Sequence, residues 1–251
     1  GKNGLEIGGP SKIFDKDEVL PLYRVVGGLD NCDFSENTVW HNAVVPDRSE
    51  MVRFNSRYIC DASELATVPD GKYDFIVSSH VLEHIANPIK AMHNWMRVVK
   101  DDGYLLVVVP HKDATFDRNR PVTTVEHVFS DFNEKVGEDS LEHLPEILEL
   151  HDIGRDPGAG DMENFKQRSL KNASNRCLHH HVFDTALIVS IFDRLKLQVL
   201  AVDPVFPQHI IVLGKKVRGV PDNRDFLSFR KISSPFPSDA KYRARLKKEG
   251  R

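Results

Sequence analysis

The sequence is poor in cysteine and tryptophan, has no long apolar run and carries almost no net charge. Its three cysteines, Cys32, Cys60 and Cys177, are odd in number and form no CxxC pair. This argues against a disulfide scaffold and a structural cysteine-zinc site, and favours a reducing, cytoplasmic setting. The longest apolar run, Tyr104 to Pro110, is far short of the ~20 residues that cross a bilayer, so no membrane span is expected. Lys and Arg number 34 against 37 Asp and Glu, a net charge of −3. No whole-molecule positive field gathers nucleic acid, and no basic-aromatic stripe offers bases a stacking surface, so nucleic acid is not a favoured partner. With 40% hydrophobic and 28% charged residues in 251, the chain is an ordinary globular one, long enough for one large domain or two small ones. It opens directly on a strand-and-turn pattern without a leader, and is expected to be part of a larger chain.

What the chain has in surplus is histidine, 12 in all, most of them between His80 and His181. Short apolar runs alternate with helical patterns, the signal for a mostly parallel sheet built from βα units. The expected strands are Gly4 to Ile7, Arg24 to Leu29, Tyr58 to Cys60, Tyr73 to Ser78, Tyr104 to Val109, Leu197 to Val202 and His209 to Leu213. The last two are separated by too few residues for a crossover helix, so they should pair antiparallel. The clearest helix begins at Asn87-Pro88, a capping residue followed by proline where its missing N–H costs nothing. Ile89, Met92, Met96 and Val99 mark its buried face. About seventy residues separate Val109 from the helical pattern at Phe183, far more than a βα loop needs. Helical patterns at Thr124 to Lys135, Ser140 to Leu150 and Met162 to Lys171 make this an expected helical insert or lid. The tail from Ser233 is polar, with six basic residues from Lys241 to Arg251, and reads as a solvated terminal segment.

In open α/β sheets ligands bind beyond the carboxyl ends of the strands, normally beside the first strand. That places the turn Gly8-Gly9-Pro10-Ser11 at the site. The third glycine of a dinucleotide fingerprint is absent and Pro10 interrupts, while Glu6 offers a carboxylate suited to a cationic amino group. Gly4 to Ser11, then Cys60-Asp61-Ala62, then Tyr73 to His84, then Arg97 to Tyr104 occur in an order and spacing that resemble a class I S-adenosylmethionine-dependent methyltransferase. The resemblance implies a doubly wound, seven-stranded, mostly parallel α/β sheet (Rossmann-like) with an antiparallel last strand. It also implies S-adenosylmethionine as cofactor and S-adenosylhomocysteine as product. Carried over residue by residue, Glu6, Gly8 and Gly9 match positions contacting the methionine part. Asp33, or else Asp30, matches the ribose carboxylate, Asp61 and Ala62 the adenine pair, and Ser79 and His80 the residues beside the sulfonium. Glu6 and Asp61 also have plain readings as strand-end and turn residues, His84 as a capping or packing residue and Glu83 as a structural one. The implied organisation is a core over 1–110 and 182–220, an insert over 111–181 that contributes to the acceptor site, and a tail over 221–251.

Methyl transfer to a hydroxyl needs a base to take the proton, and histidine is the usual choice near neutral pH. His111 follows the fifth strand, and His179-His180-His181 precede the next helix, so topology brings both groups to the ligand edge. His111 or one of His179 to His181 is the expected base, oriented by Asp113 or Glu126, with His127 close in sequence. A divalent metal held by the same histidines and carboxylates is the less favoured reading, and hydrogen bonds that fix the lid are the structural one. The insert's Arg118, Arg120, Arg155, Arg168 and Arg176 point to a small polar or carbohydrate acceptor bearing an anion. The expected activity is therefore O-methylation of a sugar, glycan or other small polar hydroxyl. A catalytically silent cofactor- or partner-binding domain and an RNA methyltransferase are the alternatives.

Overall fold

The computed structural model describes residues 2–38 and 52–250. Strands β1 (Asn3–Ile7), β2 (Gly28–Asp33), β3 (Arg57–Ile59), β4 (Tyr73–Ser79), β5 (Val99–Pro110), β6 (Leu197–Val205) and β7 (His209–Lys216) form one sheet in the order β3-β2-β1-β4-β5-β7-β6. All pairs are parallel except β5 with β7 and β7 with β6. This is the doubly wound arrangement expected, with the strand order reversing beside β1. The part of the expected core at residues 39–51 lies outside the described residues.

Strand β2 departs from the sequence reading. Leu22–Arg24 forms a single 3₁₀ turn and the strand starts at Gly28, four residues late. Its interior is polar, and Asp30 is buried because Lys72 Nζ (2.9 Å) and the Tyr73 hydroxyl (2.6 Å) bond its carboxylate. Partnered burial of this kind leaves no apolar signature. It also ties Asp30 to the strand's interior, leaving Asp33 as the carboxylate at the ligand end. β5 also starts earlier than the expected Tyr104, taking in the turn-forming pair Asp102-Gly103. There Asp102 sits at φ 62° and the pairing register with β4 shifts between Tyr73 and Phe75.

The helices obey their capping signals. In α1 (Pro88–Val98) the Asn87 side chain accepts from the Lys90 N–H, and Ile89, Met92, Trp95 and Val98 are buried against the sheet. The insert contributes α2 (Val125–Glu134), capped by Thr124 and closed by left-handed Lys135. It continues with α3 (Leu144–Leu150), α4 (Met162–Ser169) and the short α5 (Asn172–Asn175). Helix α2 packs its Val125, Val128 and Phe129 into the main core, whereas Ile147, Phe165 and Leu178 build a separate small core under α3 and α4. Helix α6 (Thr185–Arg194), capped by Asp184, returns the chain to the sheet.

The tail is not the solvated segment its composition predicts. After α7 (Arg224–Leu227), helix α8 (Pro237–Lys248) docks on the protein through buried Phe236, Asp239 and Leu246. Within the helix only Asp239 and Leu246 are buried, so the lysines and arginines around them dominate the composition. Of the six basic residues, Arg251 lies outside the described residues. No helix among the described residues is long and apolar enough to cross a membrane.

Candidate active site

The carboxyl ends of β1, β2 and β4 open into a cavity of about 540 Å³, within the size range of small-molecule sites. Its wall includes Gly8, Asp33, Asp61, Ala62, Ser79 and His80 from the sheet, and Thr115, Phe116, Glu138, Arg155, Arg176 and His179 from the insert. One cavity thus joins the edge expected for a cofactor to the insert expected for an acceptor.

The turn after β1 is set from below. Gly8 has φ +75°, a conformation that side chains rarely adopt, and a Cβ there would also meet Val81 at 2.5 Å. Glu6 is fully buried, and its carboxylate accepts from the Ser11 N–H (2.9 Å) and the Tyr23 hydroxyl (2.9 and 3.0 Å). A Cβ on Gly9 would stand 2.2 Å from that carboxyl carbon. Glu6 and Gly9 are therefore not on the cavity wall, contrary to the expected ligand contact. The carboxylate turns back to hold the loop whose backbone faces the cavity. Burial pushes the Glu6 carboxyl up to about 7 despite its hydrogen-bond donors.

Asp33, nearly buried at the end of β2, lines the cavity and has Arg57 at 3.4 Å. Asp61 caps its own turn by accepting from the Ser63 N–H (2.7 Å), and its second oxygen accepts from Arg176 (3.0 Å). The neighbouring Ala62 carbonyl accepts from the Trp95 indole (2.9 Å), which fixes this wall to α1. Ser79 ends β4, and His80 follows at φ 54°, with its N–H bound to the Val108 carbonyl (2.9 Å) and its Nε2 2.8 Å from His209 Nδ1. A non-glycine residue with positive φ beside a ligand cavity is a strained conformation that its surroundings must enforce. Cys32, on the cavity wall, and Cys60, distant in sequence, meet as free thiols 3.6 Å apart.

The expected catalytic residues do not converge there. His111 is fully buried outside the wall, stacked on Phe236 (4.0 Å between ring centres), with Nδ1 accepting from the Asp113 N–H and Nε2 3.4 Å from Asp239. Asp113 accepts from the Ser238 N–H (2.8 Å) and hydroxyl (2.5 Å). Both residues anchor α8, because the tail occupies the space that topology alone leaves open beyond β5. His181 is buried against the Ala86 carbonyl (3.1 Å), and His127 lies beside His143 (3.1 Å), also away from the cavity. Glu126 is exposed and pairs with Arg194. Of the five insert arginines, only Arg155 and Arg176 line the cavity. Arg118 pairs with Asp152, Arg168 with Asp156, and Arg120 is buried against Asp117 and Glu146.

Of the histidines expected as base, His179 is the one that lines the cavity, where His80, His84 and His209 also stand. Its Nδ1 lies 2.6 Å from Asp117 Oδ2, and the other oxygen of Asp117 is held by Arg120 (2.8 Å). Burial works against protonation of His179, but the Asp117 charge and hydrogen bond outweigh it and raise its pKa. Burial likewise opposes ionisation of Asp117, and His179 with Arg120 overcomes it, holding the carboxyl at about 2. Next to His179 lie His84, pushed down to about 4 by burial, and Glu83. Glu83 is fully buried with neither carboxylate oxygen hydrogen-bonded, His80 Nδ1 being 3.5 Å away. Burial opposes its ionisation, but the imidazoles of His80, His84 and His179 lower its pKa overall. Glu83, His84 and His179 offer ligand atoms within 4.8 Å of one another, a set able to hold a cation. The sequence signal for His179 was its place in the triple histidine. The pairing with Asp117 spans sixty-two residues and was not visible.

Residues 1–153, more than half of the chain, match the family described as "Methyltransferase domain". The chain belongs to this methyltransferase family. The match covers the turn after β1, the strand ends that line the cavity and the first part of the insert. Solved structures similar to this methyltransferase include a SAM dependent methyltransferase from Aquifex aeolicus, at 15% identity over 86% of this chain and 82% of that one with a TM-score of 0.45. Another is the 1,6-didemethyltoxoflavin-N1-methyltransferase of Burkholderia thailandensis, solved with 1,6-didemethyltoxoflavin and S-adenosylhomocysteine, at 12% identity over 86% and 71% with a TM-score of 0.45. A search of curated proteins returned no match.

Proposed function

We propose that this methyltransferase O-methylates a small polar acceptor, a sugar or glycan hydroxyl, with His179 as general base. The observation that carries the reading is His179, paired with buried Asp117, on the wall of the same cavity as Gly8, Asp33 and Asp61. When Asp117 accepts the Nδ1 proton, the neutral imidazole carries its lone pair on Nε2, the nitrogen that would take a hydroxyl proton. Arg120 holds Asp117 in place from the far side.

The cavity residues fit S-adenosylmethionine. Asp33 supplies a carboxylate for a vicinal diol, Asp61 and Ala62 flank it for the base, and the turn at Gly8 lets backbone approach without a side chain. When bound, the cofactor supplies an electrophilic methyl group on a sulfonium. The protein's share is then alignment and removal of water, the main requirements of an in-line transfer. On the insert side the wall offers Thr115, Glu138, Arg155, Arg176 and His179 beside Phe116. Hydroxyl-rich acceptors suit such a lining, and Arg155 or Arg176 would meet an acidic group on them.

The test is a mass shift of one CH₂ on a panel of sugars, nucleotide sugars and short RNAs incubated with S-adenosylmethionine. Methylation of a hydroxyl that is lost in His179→Ala while S-adenosylhomocysteine binding persists supports the reading. Transfer to nitrogen or to RNA alone, or a fully active His179→Ala, overturns it.

A further inference from the structure

Away from the cavity, a second group of histidines gathers on a buried carboxylate. His127 and Asp131 are one turn apart on α2, His143 precedes α3, and His181 lies at the junction between the insert and α6. The distances are 3.1 Å between His127 Nε2 and His143 Nε2, 3.6 Å from His127 Nε2 to Asp131 Oδ2, and 3.6 Å from His181 Nε2 to the same oxygen. One ligand atom from each of the four lies within 4.8 Å of the rest. Zinc bonds of ~2.0–2.1 Å in a tetrahedron place ligand atoms roughly 3.3 Å apart. The three measured separations bracket that value, and ligation through His181 Nε2 would replace its contact with the Ala86 carbonyl.

Protons alone do not satisfy this group. One hydrogen between His127 and His143 accounts for their contact. Asp131 Oδ2, however, is buried with no hydrogen-bond donor, and no lysine or arginine pairs with this carboxylate among the described residues. His181 is fully buried, and with Nε2 against the Ala86 carbonyl its Nδ1 has no partner in either tautomer. A buried carboxylate with no hydrogen-bond donor and only imidazoles beside it is strongly disfavoured as an anion, and a bound cation removes that penalty. Three imidazoles and one carboxylate are a donor set for a borderline transition metal, not for calcium or magnesium.

We propose that His127, Asp131, His143 and His181 form a closed tetrahedral site for a divalent transition metal, zinc by donor chemistry, that fastens the start of α3 to α2 and to the segment leading into α6. With all four positions taken by protein, the ion has a structural role, and it stands apart from the Glu83, His84 and His179 group in the cavity. Because α2 packs Val128 into the main core, tying the start of α3 and the segment before α6 to it fixes this part of the insert against the sheet domain.

The experiment titrates the purified, chelator-treated full chain with Zn²⁺ against a chromogenic chelator, and with Co²⁺ while recording visible absorption. The wild type should bind one equivalent of Zn²⁺, show the intense visible bands of tetrahedral Co²⁺, and melt at a higher temperature with Zn²⁺. His143→Gln and the half-exposed His127→Gln, each with native far-UV circular dichroism, should lose the bands and weaken Zn²⁺ binding at least tenfold, while His84→Gln keeps both. If His143→Gln fails to fold, His127→Gln decides alone. Absence of stoichiometric binding in the wild type, retention in His127→Gln, or loss in His84→Gln only would overturn the proposal.

Discussion

Individual side chains divide the histidine surplus into distinct tasks. His179 has a carboxylate partner and a cavity face, whereas His111 has an aromatic stack and no access to the cavity. His179→Ala should therefore lower kcat by about 10²–10⁴, the usual contribution of a general base, with S-adenosylhomocysteine affinity changed little. His111→Ala should act chiefly on stability, seen as a lower denaturation midpoint with kcat retained near the native level. If His179 is the proposed base, it acts as the neutral imidazole, and since Asp117 raises its pKa above the ordinary 6.5 the rate should climb with pH through a limb lying above 6.5. Asp117→Asn should move that limb to lower pH. Glu6 gives a second, thermodynamic signal. Its folded pKa of about 7 exceeds the ordinary 4.5, so the folded state holds the proton more tightly. Its contribution is fully present below 4.5 and declines as pH rises through about 7. Buried histidines such as His84 and His209, pushed down to about 4, act in the opposite sense over part of that range. The comparison is therefore made against Glu6→Gln. Unfolding free energy of wild type minus variant, measured by denaturant at several pH values, should fall between pH 4.5 and 7.

Among the secondary structure elements, legibility followed chemistry. β1, β4 and β5 were readable because their interiors are apolar, and α1, α2 and α4 because Asn87, Thr124 and Asp161 announce their starts. β2 was misplaced because Asp30 and Asn31 are buried through partners or close packing and look like turn residues. Helix α8 was missed because a helix that buries few side chains has no period to detect, and its anchor, Phe236 on His111, joins residues far apart in sequence. That anchor also removed His111 and Asp113 from the candidate base. Topology places residues at a sheet edge, but only the packing of other segments decides which of them stay accessible. Phe236 is almost completely buried between His111 and Phe206. Phe236→Ala should cost about 3–5 kcal/mol of unfolding free energy, as truncation of a packed aromatic does. Chemical denaturation measures this, and a loss below ~1 kcal/mol would mean that α8 is not fastened as described.

For the molecule as a whole, the cavity exists only because the insert and the sheet close on each other, and Arg176 spans the join. Its guanidinium reaches Asp61 on the sheet side (3.0 Å) and Glu138 on the insert side (2.7 Å), while Glu138 in turn accepts from the Ala86 N–H (3.0 Å). The arrangement fixes Asp61 on the cavity wall and sets the insert's distance from it with one side chain. Arg176→Met keeps the length and removes both ion pairs, so cofactor and acceptor binding should weaken together. Both pairs are partly exposed, and solvent screening limits their worth. Roughly tenfold weaker S-adenosylhomocysteine affinity, ~1.4 kcal/mol, is the expected size. Isothermal titration of Arg176→Met, Asp61→Asn and the double variant checks it. If Arg176 acts by positioning Asp61, the double variant should bind no more weakly than Asp61→Asn alone. Additive losses would instead make Arg176 and Asp61 independent contacts of the ligand.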